Sequence, residues 1–164
     1  MSWREMLRPG MRAYLIPLVS GVVLAVSAFL PWVIVGDVTL RGVPDTMALW
    51  IVGLGALASV LAVLSLITRK NSRHPLLVIG LAALGIMVLS WRILPETVER
   101  RARSVTQAYA IVEGRTVTEG PDATAGTGIY LGLLSAAAIV GFGLTIVVRR
   151  AAVVYAVTDP DDDV

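Results

Sequence analysis

The chain has 164 residues, 56% of them hydrophobic and 16% charged, with a net charge of +2 and a mean hydropathy of +0.78. Soluble domains carry about one-quarter charged residues, so this composition excludes an ordinary water-soluble globule, and the length fits a single domain, 1–164. With no cysteine, disulfide frameworks, iron–sulfur clusters, thiolate metal sites and cysteine nucleophiles are excluded together.

A bilayer core of ~30 Å is crossed by about 20 apolar residues in helical form. Four stretches meet that requirement: 13–35, 47–68, 76–94 and 128–148. They predict an all-α membrane fold, a four-transmembrane-helix antiparallel bundle. In lipid a helix satisfies its own backbone, and the runs lack the alternation of barrel strands. The first run follows Arg4, Arg8 and Arg12 and contains Pro17 near its entrance, where proline is tolerated in a first turn. Ala25-Val26-Ser27 would pass as a cleavage site, but the run is longer than a signal-peptide core and reads as an uncleaved anchor.

Pro31 helps to stop the first helix. In the outer loop that follows, 36–46, and the residues leading into it, two β-branched runs flank Gly36-Asp37 within Trp32 to Arg41. This is the pattern of a two-residue hairpin. After the second span, Arg69, Lys70 and Arg73 precede His74, the single histidine. One histidine with no carboxylate near it in sequence does not make a zinc or haem site, and His74 reads as a solvated loop residue. The third span is short unless Arg92 snorkels outward at its end.

The second outer loop, 95–127, carries two competing signals. Val98, Ala102, Val105, Tyr109 and Val112 recur at helical spacing, either continuing the third span or forming a surface helix. Ala108 to Val112 and Arg115 to Thr118, around Glu113-Gly114, look instead like a second hairpin. The expectation drawn from both is helix to about Ser104, strands after it, and a loop over 120–126. The fourth span stops at Arg149 and Arg150, and the tail, 151–164, ends in an acidic block, Asp159 to Asp163, of the kind that is normally solvated. Its functional alternative is a docking tail for a basic partner.

Orientation follows from the positive-inside rule. The N-terminal arginines, the Arg69–Arg73 connector and Arg149–Arg150 share one side of an even-numbered topology, while the basic residues of the other side are interspersed with Asp37, Asp45, Glu96, Glu99 and Glu113. Both termini are therefore expected in the cytoplasm, and a bacterial cytoplasmic membrane is the expected location. Trp32, Trp50, Trp91 and Tyr130, with Arg92, are expected as anchors at the outer interface, and Trp3 and Tyr14 at the inner one.

Helices associate in lipid through close approach at small residues. The fourth span offers Gly128, Gly132 and Ala136 on one line and Ala137 with Gly141 on another; the second has Gly55 with Ser59 and Ala58 with Ala62, and the first Gly21 with Ala25. One line of the fourth span is expected to pack internally and the other to meet a partner subunit.

Ionisable groups within the bilayer would mark a pump, relay or voltage sensor, and the four runs have none before their ends. The outer carboxylates Glu96, Glu99, Glu113, Glu119 and Asp122 show no acid–base pairing, and Glu96 and Glu99 suit helix-surface ion pairs with Arg100 and Arg103. Serines have no histidine in reach, and no phosphate loop is present. Arginine outnumbers lysine thirteen to one but is scattered, so nucleic acid is not an expected partner. The reading is a non-enzymatic chain without metal or cofactor: an accessory subunit of a larger bacterial membrane complex, in contact with lipid and other membrane subunits. The alternative is a transporter or channel component for an apolar or lipid-like molecule. A third reading, a lipid-modifying enzyme, would use Glu96 and Glu99.

Four spans, a strand-bearing first outer loop, Trp32 just past span one and Leu49-Trp50 further on resemble the layout of claudin-type four-span membrane proteins. The chain lacks that family's disulfide cysteines, and its longer outer loop is the second. It is also similar to small uncharacterised four-span proteins of high-GC bacteria, whose first span often ends in Pro-Trp before a short strand. These resemblances imply a layout and no activity.

Overall fold

A computed structural model describes residues 12–68, 73–114 and 122–155. A short 3-10 turn, Arg12–Tyr14, leads into helix α1, Leu15–Ser27; strands β1, Pro31–Val35, and β2, Val38–Arg41, follow; then come helices α2, Thr46–Thr68, and α3, Arg73–Glu113, strand β3, Ala123–Ala125, and helix α4, Thr127–Tyr155. The fold is thus mostly helical, with a small three-stranded sheet. α2, α3 and α4 are each long and apolar enough to cross a membrane, and α1 is a shorter apolar helix. Only 28% of the most apolar part of α2 and 33% of that of α3 is buried. Val22, Leu57, Val60, Leu81 and Leu134 point outward, a distribution that water penalises.

α1 is shorter than the 13–35 run because the chain leaves the helix at Ser27. The amides of Phe29 and Leu30 donate to Val26 and Ser27 carbonyls, and Pro31 has no amide to continue the ladder. The remaining apolar residues, Pro31–Val35, become β1. It pairs antiparallel with β2, Val35 opposite Val38, around Gly36-Asp37. Gly36 adopts φ 54°, the left-handed geometry that two-residue hairpins use to match strand twist. This hairpin agrees with the sequence expectation.

The rest of the sheet differs from it. β3 adds to the other edge of β1, with Val33 opposite Ala125 and Val35 opposite Ala123, so that β1 is central in the order β2-β1-β3. The third strand is therefore drawn from residues expected to be loop. Ala108 to Val112, expected as a strand, is helical, because α3 continues through Pro95 to Glu113. Its helical apolar spacing persists, and Glu96–Arg100 (3.4 Å) and Glu99–Arg103 pair across one turn. Ser104 and Thr106 return their hydroxyl protons to carbonyls four residues back. Gly114, at φ 66°, ends the helix as a left-handed cap. The expected strand partner at 115–118 lies outside the described residues, as do Trp3 and the tail beyond Tyr155. α4 runs past Arg149 and Arg150 to Tyr155 instead of ending at 148.

The helices meet through glycine. A Cβ on Gly21 would stand 2.8 Å from the Gly55 carbonyl oxygen, and one on Gly55 2.6 Å from that of Gly21, so α1 and α2 touch backbone to backbone. Gly80 of α3 packs on Ile139 and Val140, and Gly143 of α4 on Leu77. Leu24, Ile51, Leu76, Met87, Ile129 and Ile139 fill the core between the helices.

Candidate functional site: the sheet-capped end of the bundle

The sheet sits over one end of the bundle and is fixed by Trp32. Register shifts between Pro31 and Val33, a bulge, which allows consecutive residues to be re-aimed. Trp32 and Val33 are accordingly both buried, which strict alternation forbids. Trp32 is only 1% exposed. Its indole Nε1–H donates to the Ser27 carbonyl at 2.9 Å, and the Ser27 hydroxyl donates to the Leu24 carbonyl at 2.6 Å. Three glycines wall the ring and its strand: a Cβ on Gly42 would lie 2.6 Å from Cε2 of Trp32 and one on Gly128 2.8 Å from Cδ1, and Gly126 sits against Pro31 and donates its amide to the Trp32 carbonyl at 2.7 Å. Trp32 is thus a core residue of the cap, a correction to its expected place among the surface anchors.

Trp50, Trp91 and Tyr130 are exposed near the same end, and the Arg92 guanidinium lies 6.0 Å from the Trp91 ring. At the opposite end Tyr14, expected as an interface marker, is buried. Its ring meets Phe142 edge-on at 5.1 Å, and the Arg73 guanidinium sits 5.5 Å from the Phe142 centroid. His74 is exposed in the first turn of α3.

The two small-residue lines of α4 part company. Gly128, Gly132 and Ala136 are buried, with Gly132 against Met87 and the Ser27 hydroxyl. Ala137 and Gly141 are exposed, and a Cβ on Gly141 would meet nothing within 4 Å. α1 and α2 use their lines on each other, through Gly21, Ala25, Gly55 and Ser59.

Beside the cap, a groove of about 420 Å³ runs between β2, the start of α2 and the middle of α3. Leu89, Ile93 and Leu94 line its α3 side, with Arg41, Asp45 and Arg101 at its polar edge. Asp45 Oδ1 accepts the Met47 amide at 2.9 Å, capping α2. Ser90 also lines the groove; it is 3% exposed and its hydroxyl has no hydrogen-bond partner. Sequence reasoning missed this residue, because serine among apolar residues in a helix usually bonds its own backbone and carries no signal. The carboxylates of Glu96 and Glu99 point to arginines one turn on. Among the described residues no group of three His, Asp or Glu side chains is placed to hold a metal ion. Beyond the groove α3 projects on, with Val105, Tyr109, Ile111 and Val112 exposed by 55 to 84%.

No protein-family model, no curated protein and no solved structure matches this chain.

Proposed function

We propose that the chain crosses the bilayer four times with both termini cytoplasmic, and serves as a non-catalytic accessory subunit of a larger bacterial membrane complex. The observation that carries this reading is the projecting half of α3. Forty-one residues of helix extend about 60 Å at 1.5 Å per residue, roughly twice the ~30 Å hydrocarbon core. The excess carries four large apolar side chains uncovered, and a partner subunit is what would cover them. The outward line of Ala137 and Gly141 supplies a second face suited to a neighbouring helix. The Arg12–Tyr14 turn and residues 28–30 lengthen α1 beyond its 13 helical residues, which leaves the sheet outside the hydrocarbon core.

The test is a photo-crosslinking amino acid at Tyr109 or Val112 in cells, followed by mild-detergent purification. A discrete cross-linked polypeptide is expected; a strictly monomeric protein with no adduct at either position sinks the proposal. The absence of native cysteine makes sidedness simple to check. An impermeant maleimide should label Asp37→Cys in intact cells and leave His74→Cys unlabelled, and the reverse pattern would invert the topology. A conduit for an apolar or lipid-like molecule is the second reading, favoured by the groove; the packed Leu24, Ile51, Met87 and Ile139 weigh against a through-path.

A further inference from the structure

We infer that the groove beside the cap is a binding site for one anionic phospholipid of the surrounding bilayer. This rests on the membrane placement proposed above and does not need the accessory-subunit role. Three features of the site converge.

The floor is apolar. Leu89, Ile93 and Leu94 on α3 face Leu40 and Met47 across a space of about 420 Å³, within the ~300–1,000 Å³ of ordinary ligand sites. It lies where α3 passes from its most apolar stretch to its charged one, the level of a lipid's glycerol region.

The rim is cationic. Arg41 and Arg101 are exposed on two different elements, and neither forms an ion pair among the described residues, whereas Arg100 and Arg103 are both spoken for by glutamates. Asp45 is the single carboxylate on the rim, so two guanidiniums stand against one acid. The charge balance selects an anion.

The third feature is Ser90. Ser59, Ser65, Ser104 and Ser135 each give their hydroxyl proton to the carbonyl four residues back. Ser90, which lines this groove, is by contrast buried with none, a donor left to an acceptor that is not part of this chain's described residues. A buried unpaired hydroxyl is unfavourable, and a lipid ester carbonyl would relieve it. Ser90 and Arg101 are about 16 Å apart along α3 at 1.5 Å per residue. Side chains on a helix lean toward its N-terminus, and Ser90 and Arg101 both line the groove. Phosphate between the two arginines and an acyl ester near the hydroxyl place the chain along Leu89 and Ile93.

The experiment uses the full chain, delipidated in mild detergent, reloaded with dioleoyl phosphatidylglycerol or dioleoyl phosphatidylcholine and read by native mass spectrometry. Each guanidinium near a lipid surface is worth about fivefold in anionic-lipid binding, and Asp45 offsets one of the two, so a preference of about fivefold for the anionic phosphatidylglycerol is expected. Arg41→Gln with Arg101→Gln should abolish the preference, and Arg100→Gln with Arg103→Gln, which removes equal charge from outside the groove, should keep it. Ser90→Ala should lower retention of both lipids and leave their ratio unchanged. All four arginines are exposed, so these variants keep the fold, which circular dichroism checks. Equal retention of both lipids by the parent chain, an intact preference in the Arg41/Arg101 variant, or parental retention in Ser90→Ala overturns the inference. So does a photo-crosslinker at Thr97 in the groove that captures a polypeptide, which would assign the groove to a protein.

Discussion

Gly53 and Gly55 lie two residues apart on α2 and make a matched pair for testing how α1 and α2 are held together. An alanine methyl at Gly53 meets nothing within 4 Å, whereas at Gly55 it would stand 2.6 Å from the Gly21 carbonyl oxygen and 2.7 Å from the Ala25 amide nitrogen. Both obstacles are backbone, so no rotamer relieves the clash. Optimal non-bonded separation is about 3.5 Å, and the two helices must therefore move apart by close to 1 Å. Both substitutions gain the same intrinsic helix preference, about 1 kcal/mol. Only Gly55→Ala suffers overpacking, about 1–3 kcal/mol, and it also disturbs the Ser59 hydroxyl, which donates to the Gly55 carbonyl at 2.9 Å. Gly53→Ala should thus be neutral or stabilising, with Gly55→Ala less stable than it by about 1–3 kcal/mol. Unfolding in mixed micelles with rising dodecyl sulfate fraction, followed by tryptophan fluorescence, measures the difference. Equal shifts for the two variants would refute the backbone contact.

The Trp32 socket predicts a graded series. Trp32→Phe loses the bond to the Ser27 carbonyl and should cost on the order of 1 kcal/mol, and Trp32→Ala about 3–5 kcal/mol, in the same micelle titration; near-wild-type stability of Trp32→Ala would place the ring outside the core. On α4, Gly132→Leu should destabilise the protein strongly, since even a Cβ at that position would run into Met87, while Ala137→Leu with Gly141→Leu should leave it folded and, on the accessory-subunit reading, shift its mobility on native gels by releasing the partner. The exposed Arg100–Glu96 pair should matter little: Glu96→Gln is expected to change stability by less than about 1 kcal/mol, and a larger, salt-insensitive loss would mean that the glutamate does something other than pair with its neighbour.

Helix periodicity and turn chemistry were legible in the sequence where local signals stood unopposed. Gly36-Asp37 between β-branched runs signals a two-residue hairpin, and the structure adopts one. The small-residue lines of α1 and α2 likewise find each other. Legibility failed where a local preference met a longer-range demand. Ile111 and Val112 favour strands, yet the helix already running beneath them extends at the gain of one hydrogen bond per residue. Ala123–Ala125 has only Thr124 to favour a strand; it pairs along the edge of β1 that β2 leaves open. Trp32 looked like an interface anchor because its neighbours in depth are aromatic, and no composition rule foresees a bulge that turns the ring inward. The Ser90 groove is a property of three separated segments, β2, α2 and α3, so nothing short of the assembled chain displays it.

The sheet joins Val33 to Ala125, partners far apart in the polypeptide, so the β1–β2 hairpin is synthesised well before the strand that completes the sheet. The hairpin can zip as soon as it emerges, but one flank of the Trp32 indole stays bare until Gly128 arrives at the start of α4. Closing so long a loop carries an entropic cost that the pairing of β3 and the packing of α4 must offset. The strand at 123–125 therefore acts as a latch on the cap: until it pairs with β1, the Trp32 socket lacks the wall that Gly126 and Gly128 supply.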